Sequence, residues 1–350
     1  MTRTNPLACF LIVTFNSARH LPALLASLAA DPPEGYRRRV LVVDNASTDA
    51  TRDLLGAADV TLIPSAENLG FGAANNLGAA TAIAQGADYL VLLNPDTAVT
   101  PGWLPPLLRD LAENPALACV QPRIMQGDRP ERINSLGNRV HYLGFGYTDG
   151  HDGPWRGGDS APLRPATYAS GCACVFRASD FERIGGFDPR FFLYHEDQDL
   201  GWRLRLAGKT IAVDARSVVH HYYEFERDPG KFYYLERNRW VFLLSHFETR
   251  TLLLVLPALL VMELGTWIYC LARGLAAQKA RAVRDLARRK TRRWIRAKRA
   301  LSLRTRRRRD RDLAPFLEGR LPFGPIQNPL FRRVADPLLG FYWRAVRRWV

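Results

Sequence analysis

Four short apolar runs punctuate the first hundred residues: Ala8–Val13, Val40–Val43, Val60–Ile63 and Tyr89–Leu93. They lack the strict alternation of a strand with one wet face. A strand apolar throughout has to be covered on both sides, which implies a parallel sheet packed between helices. The intervening segments meet that demand. Ser17 to Ala30 carries Leu21, Leu24, Leu25 and Leu28 at helical spacing, and Ala73 to Ala84 is an Ala-rich helical stretch. The pattern predicts an α/β fold, with a mostly parallel sheet and helices on both faces. Further helices are expected over 102–111, 181–187, 197–206 and 231–240, and strands over 117–121, 168–177 and 211–219. Residues 125–165, rich in Gly, Asp, Arg and Pro, read as a long irregular excursion.

Each apolar run ends in polar residues. The ends carry Thr14 and Asn16, Asp44 and Asn45, Asn68 and Gly70, and Asn94 and Asp96. In open α/β sheets, ligands bind beyond the carboxyl ends of the strands. One such residue alone reads as a helix cap or a turn. Four ends in succession mark one polar edge and a candidate site. Gly70, Gly72 and Gly78 surround the start of the third helix, a place where backbone N–H groups can meet phosphate. Their order fits neither GxGxxG nor the P-loop, so neither a dinucleotide nor an NTPase reading follows.

The densest chemistry lies in Tyr194-His195-Glu196-Asp197-Gln198-Asp199, followed by Arg203. Carboxylates at a helix start are favoured by the helix dipole, and Arg203 can pair at i+4. Phe191, Phe192 and Tyr194 on the approach should desolvate a carboxylate and raise its pKa, as a general base requires. Asp197 is the candidate base. His220-His221 closes the strand over 211–219, as ligands or as satisfied polar tips. Lys231–Trp240 is aromatic and cationic, suited to holding phosphate or to packing across the sheet.

Charge divides the chain. Residues 1–245 hold 24 Lys+Arg against 27 Asp+Glu, while 246–350 hold 25 against 7, within a total of +15. The expected organisation is a globular catalytic body over 1–245 and a helical, strongly basic region over 246–350. A basic module of this kind seeks anionic lipid or nucleic acid. The five cysteines, Cys9, Cys119, Cys172, Cys174 and Cys270, show neither a disulfide framework nor zinc spacing and read as core thiols. Leu7–Val13 is too short for a secretory leader.

At this point a family resemblance enters. It is carried by Ile12-Val13-Thr14-Phe15-Asn16, Val43-Asp44-Asn45-Ala46-Ser47-Thr48-Asp49, Asn68-Leu69-Gly70-Phe71-Gly72, Leu92-Leu93-Asn94-Pro95-Asp96, Gly185-Gly186-Phe187-Asp188, His195 to Leu200 with Arg203, and Arg237-Asn238-Arg239. In this order and spacing the chain resembles glycosyltransferase family 2, in particular bacterial rhamnosyltransferase-like members with the Rossmann-like GT-A fold. The resemblance implies inverting transfer of a sugar from a nucleotide diphosphate donor to a hydroxyl. It implies Thr14, Asn16, Asp44 and Asn45 around base and ribose, and Asn68, Gly70, Asn75 and Asn94 along the nucleotide. It implies Asp96 and His220 on a divalent metal, Mg²⁺ or Mn²⁺, with His221 as the alternative to His220, and Asp197 as base with Glu196 beside it. Asn94 stands where the family often has Asp, which removes one negative charge near the metal.

Residues 251–271 approach the length of a membrane span but contain Pro257 and Glu263. A single crossing would put the nucleotide-sugar site and the Arg-rich segment 278–311 on opposite sides, whereas both belong in the cytosol. The expected arrangement is therefore monotopic or peripheral: an in-plane apolar segment and a cationic helix on anionic headgroups, at the cytoplasmic face of the cell membrane. The expected partners are a nucleotide diphosphate sugar, a lipid-linked or glycan acceptor and an anionic membrane surface. Two other readings compete. A nucleic-acid-binding protein would explain the Arg-rich segment but not the acidic motif or the polar strand ends, so no nucleic acid is expected. A sugar nucleotidyltransferase would need a Gly-rich, basic loop after the first strand, and Thr14–Arg19 offers little of it.

Overall fold

The computed structural model describes residues 5–157, 163–222, 229–321 and 331–350. The chain opens with β1 (Leu7–Thr14), α1 (Leu21–Ala30), β2 (Arg37–Asp44), α2 (Thr51–Gly56), β3 (Thr61–Pro64), α3 (Phe71–Ala84) and β4 (Tyr89–Leu93). It continues through β5 (Thr97–Val99), α4 (Leu104–Glu113), β6 (Leu117–Gln126), β7 (Ile133–Ser135), β8 (Asn138–His141), β9 (Gly146–Thr148) and β10 (Leu163–Pro165). Next come β11 (Ala173–Arg177), α5 (Ala178–Ile184), α6 (Glu196–Leu206), β12 (Thr210–His221) and α7 (Pro229–His246). The final elements are α8 (Thr249–Ala272), α9 (Ala276–Ala287), α10 (Arg289–Thr305), α11 (Asp310–Leu313), β13 (Leu317–Glu318) and α12 (Asp336–Val346).

Strands β3, β2, β1 and β4 pair in parallel, in that order. β11 runs antiparallel between β4 and β6, and β12 lies parallel to β6. β1 shows why its sequence does not alternate. Ala8, Phe10 and Ile12 face a core with Leu21, Leu24 and Leu28 of α1 and Trp103, Leu107 and Leu111 at α4. Leu7, Cys9 and Leu11 face a second core with Ala79 and Ala82 of α3 and Leu200 and Leu204 of α6. Both faces are dry, so both parities are apolar. All five cysteines are buried and free.

Most helices begin and end within four residues of their expected places, but α7 runs six residues beyond Trp240, and two regions differ. The excursion over 125–165 is less irregular than its composition suggests, because it contains β7 to β10. Residues 246–350 fold back on the body. β13 pairs with β8, and Trp343 of α12 stacks on Tyr142 at 4.9 Å. The cationic stretch forms α9 and α10, whose inner sides bury Lys279, Trp294, Lys298 and Ser302. Their outer sides keep Arg284, Arg292 and Arg296 in solvent, whereas Arg299 turns in and donates to the carbonyls of Leu244 and Phe247.

Candidate active site

The strand ends converge through hydrogen bonds. Thr14 Oγ1 donates to Asp44 Oδ1 at 3.2 Å, and Asn45 N donates to Thr14 O. Asn16, with φ 51°, accepts from Thr48 N through Oδ1 at 2.8 Å, while its own N–H donates to Ser47 Oγ. Asn45 Nδ2 donates to Asn68 Oδ1 at 2.9 Å, and Asn45 Oδ1 accepts from Leu69 N at 2.8 Å. Burial pushes the Asp44 carboxyl up, but donors on Ser47, Arg52 and Thr14 outweigh it and hold the group below its ordinary value. Asp44 is thus an ionised anchor. Asn75 is buried and donates to Phe71 O inside its own helix. Asn94 is fixed through its backbone, its N–H on Cys172 O and its carbonyl under Thr97 Oγ1.

The glycines serve close packing. Gly70 has φ 80°, and a Cβ there would lie 2.5 Å from Phe192 O. Phe71 N donates to the same carbonyl. A Cβ on Gly72 would meet Phe187, and one on Gly78 would press on Leu11 and Val43. The turn therefore clasps the loop that leads into the acidic motif, a role the phosphate-cradle pattern did not foresee.

In that loop three of the four residues Phe192–His195 have positive φ: Phe192 (65°), Tyr194 (63°) and His195 (68°). L-residues adopt it only when their surroundings hold them there. At its end Glu196 and Asp199 are buried and Asp197 is partly buried. Asp197 accepts from Gln198 N at 2.7 Å, and Gly171 N lies 3.5 Å from its other oxygen. Burial pushes Asp197 up to about 6. Burial, then the charge of Asp197, pushes Glu196 up to about 8. Glu196 Oε2 accepts no hydrogen bond from the described residues. Near neutrality the pair keeps one proton, on Glu196, and Asp197 is free to accept another. Asp199 differs. Burial raises it, but Lys298, Arg203 and His246 prevail and hold it well below the carboxylate range. Its 2.8 Å bond from Arg203 Nε is the i+4 pair the sequence offered.

Asp96 follows β4, and His221 Nε2 lies 3.3 Å from its Oδ1. Of the two histidines the sequence left open, His221 is the one beside Asp96. Neighbouring residues of a strand face opposite sides. His220 is directed away, where burial and then Arg123 lower its pKa. Asp96 Oδ1 is buried and accepts no hydrogen bond from the described residues. A carboxylate oxygen beside an imidazole nitrogen suits a divalent cation that a diphosphate also ligates. Among the described residues no group of three or more His, Cys, Asp or Glu side chains forms a complete metal cage.

Three contributors escaped the sequence. Asn238 on α7, His246 at its end and Lys298 on α10 all reach the acidic motif. Only the presence of Arg237-Asn238-Arg239 hinted at the first. The other two lie 47 and 99 residues from Asp199, with no local signal.

A sheet with this polar edge, facing an acidic helix start, belongs to the GT-A fold of nucleotide-diphospho-sugar transferases. A crystal structure of GalNAc-T7 with UDP, GalNAc and Mn²⁺ matches with a TM-score of 0.59 at 16% identity, over 71% of this chain and 49% of that one. This likeness is one of fold, and the chain spans about half the length of that structure. The profile of Glycosyl transferase family 2 matches residues 9–185, half of the chain, and the protein belongs to that family. It is similar to the N-acetylglucosaminyl-diphospho-decaprenol L-rhamnosyltransferase of Mycobacterium tuberculosis, 33% identical over 241 residues, which cover 62% of this chain and 77% of the relative. It also matches the human polypeptide N-acetylgalactosaminyltransferase 3, 26% identical over 65% of this chain and 38% of that protein.

Proposed function

We propose that this glycosyltransferase moves a rhamnose-like sugar, with inversion, from a nucleotide diphosphate to a hydroxyl of a lipid-linked or polysaccharide acceptor during synthesis of a cell-surface glycan. The observation that carries this reading is the Glu196–Asp197 pair, two carboxyls raised by burial next to a polar strand edge. The similarity to an L-rhamnosyltransferase named for a lipid diphosphate acceptor supports the sugar and the acceptor class.

In this reading Thr14, Asn16, Asp44 and Asn45 surround base and ribose. Asn68, Gly70, Asn75 and Asn94 line the nucleotide, several of them by shaping backbone. Asp96 and His221 are the side chains for Mg²⁺ or Mn²⁺, which supplies Lewis-acid charge to the departing diphosphate. Asp197 takes the proton of the acceptor hydroxyl as it attacks the anomeric carbon. The bond to the diphosphate oxygen breaks on the opposite side, which inverts the centre. Glu196 holds its own proton and spares Asp197 a second negative neighbour.

Membrane association at the cytoplasmic face belongs to the same proposal. An 18-residue stretch of α8 has a mean hydropathy of 2.0, and the helix is long and apolar enough to cross a membrane. Its inner side packs Val255, Leu259 and Met262 into the body. Glu263 also turns inward, to Lys279 Nζ at 2.6 Å and to Arg239. Leu253, Leu260, Val261, Leu264, Ile268 and Leu271 stay exposed, and α12 adds Leu338 and Phe341. A helix with its charge paired inside and its apolar side outside suits in-plane docking rather than crossing.

The test is release of nucleoside diphosphate from a panel of nucleotide sugars, with and without Mn²⁺ or Mg²⁺. The expected result is metal-dependent release from one donor, abolished by Asp96→Ala. A protein that binds no donor in calorimetry overturns the reading.

A further inference from the structure

The acidic motif is gripped from behind by helices that the transfer chemistry does not itself require. On α7, Asn238 is fully buried. Its Nδ2 donates to the carbonyls of Phe191, Leu193 and Tyr194 at 3.1, 2.9 and 2.8 Å. Two protons serve three carbonyls, so one is shared. Arg237 Nη2 donates to the carbonyls of Arg190 and Phe191, both at 3.0 Å. Arg239 Nη1 donates to Leu143 O at 3.1 Å, beside Gly144, whose carbonyl accepts from Gln198 Nε2. Within the strained run Phe192–His195, α7 thus holds the carbonyls of Leu193 and Tyr194, while that of Phe192 accepts from Phe71 N.

The far end of the motif is held by α10. Lys298 Nζ reaches Asp199 Oδ1 at 2.8 Å and Asp188 Oδ2 at 3.0 Å. Trp294 Nε1 donates to the same Asp188 oxygen at 2.8 Å. His246 Nε2 lies 2.7 Å from Asp199 Oδ1, and its Nδ1 is 3.2 Å from Ser302 Oγ. One lysine therefore joins the helix of the acidic motif to the loop that precedes it. Asp188 follows Phe187, which packs against Gly72. Asp197 sits between the two grips, two residues before Asp199.

We propose that Asn238 and Lys298 are positioning residues of the transfer reaction: Asn238 fixes the loop entering Glu196 and Asp197, and Lys298 fixes the helix leaving them. The proposal rests on the reading of Asp197 as base. It also gives the C-terminal helices a part in the chemistry separate from any membrane. A base displaced by about 1 Å can lose about 10²-fold in rate while still binding donor.

The experiment compares Asn238→Ala, Lys298→Met and Lys298→Arg with the parent, in the full chain. Activity is normalised to folded protein by thermal melting. Asn238→Ala and Lys298→Met are expected to lose roughly 10–100-fold in kcat, with donor KM nearly unchanged. Lys298→Arg should recover much of the loss. The groups on Asp199 are Arg203, His246 and Lys298, its charge acts on Glu196, which neighbours Asp197, and Lys298 is shared with Asp188. Removing the lysine leaves more net negative charge there, so the ascending limb of the pH profile should move to higher pH in Lys298→Met. Hydrogen exchange over 190–198 provides a readout independent of donor, and should quicken about tenfold in Asn238→Ala after loss of its buried bonds. Unchanged kcat per folded molecule, or unchanged exchange in this segment, overturns the proposal. A parent that binds no donor in calorimetry would overturn the transferase reading, and the positioning role with it, while quickened exchange would still establish the grip on the motif.

Discussion

At the end of β2, Asp44 is buried, yet it accepts from Arg52 Nε at 2.6 Å, from Ser47 N at 3.3 Å and from Thr14 Oγ1. At the start of α6, Glu196 and Asp197 are enclosed by aromatic and backbone groups, and no cation touches them among the interactions described. The first region spends its donors on keeping a carboxylate ionised. The second withholds them, and its carboxyls rise to about 6 and about 8. Asp199, two residues on, is surrounded by Arg203, His246 and Lys298 and behaves like Asp44. Burial alone therefore does not make a base; burial without matching cations does.

The comparison breaks if the two regions respond alike to isosteric substitution. Asp197→Asn is expected to lower kcat by about 10²–10⁴-fold, the usual contribution of a general base, with donor KM little changed. Asp44→Asn removes an ionised anchor, so it should raise donor KM by roughly tenfold, the worth of about one hydrogen bond to a charged group, and leave kcat largely intact. Steady-state kinetics on both variants decides. A fall in kcat for Asp44→Asn equal to that for Asp197→Asn would remove the distinction.

The pH profile sharpens it. A base must be deprotonated, so kcat/KM should climb about tenfold per pH unit up to pH 6 and then level, following Asp197. Glu196 still carries its proton there, because its carboxyl is pushed up to about 8. Glu196→Gln should therefore leave the limb in place. A limb that falls markedly in this variant would exchange the two assignments. Stability runs the other way from activity. The folded state favours the protonated Glu196, so its contribution is full below the ordinary carboxyl range and is lost as pH rises toward 8. Glu196→Gln should flatten that loss in thermal melts between roughly pH 5 and pH 8.

What the sequence revealed follows from where the forces are local. Ala8–Val13 announced a two-sided strand because both its faces meet apolar helices. The polar ends of β1, β2 and β4 were visible because each interrupts an apolar run. The choice between His220 and His221 was not visible, since it depends on strand parity, and β12 shifts register between Asp214 and Val218. The strand β6 runs on to Gln126 through Pro122 and Arg123, which composition argued against. Lys298 looked like one more cation in a basic run. Its burial against Asp199 is a tertiary fact with no trace in its neighbours.

Glu263 carries the same comparison into α8. Like Asp199 it is met by cations, Lys279 and Arg239, and those two also hold Glu236. Turning α8 to span a bilayer would strip the carboxylate of both partners and leave buried Lys279 and Arg239 short of one anion, a costly change. Docking in plane keeps the cluster whole and covers the exposed leucines. The double variant Leu260→Asp and Leu264→Asp places charge on the outer side alone. Each leucine that reaches the acyl boundary is worth about 1.5–3 kcal/mol, so co-sedimentation with vesicles containing anionic lipid should fall by roughly tenfold or more. Release of nucleoside diphosphate in detergent should not change, because both leucines are exposed and stand outside the packed core that α8 shares with the body. Unaltered vesicle binding would remove α8 from the docking surface. Lost detergent activity would mean that the outer side of α8 communicates with the acidic motif through Arg239, and the two regions would no longer be separable.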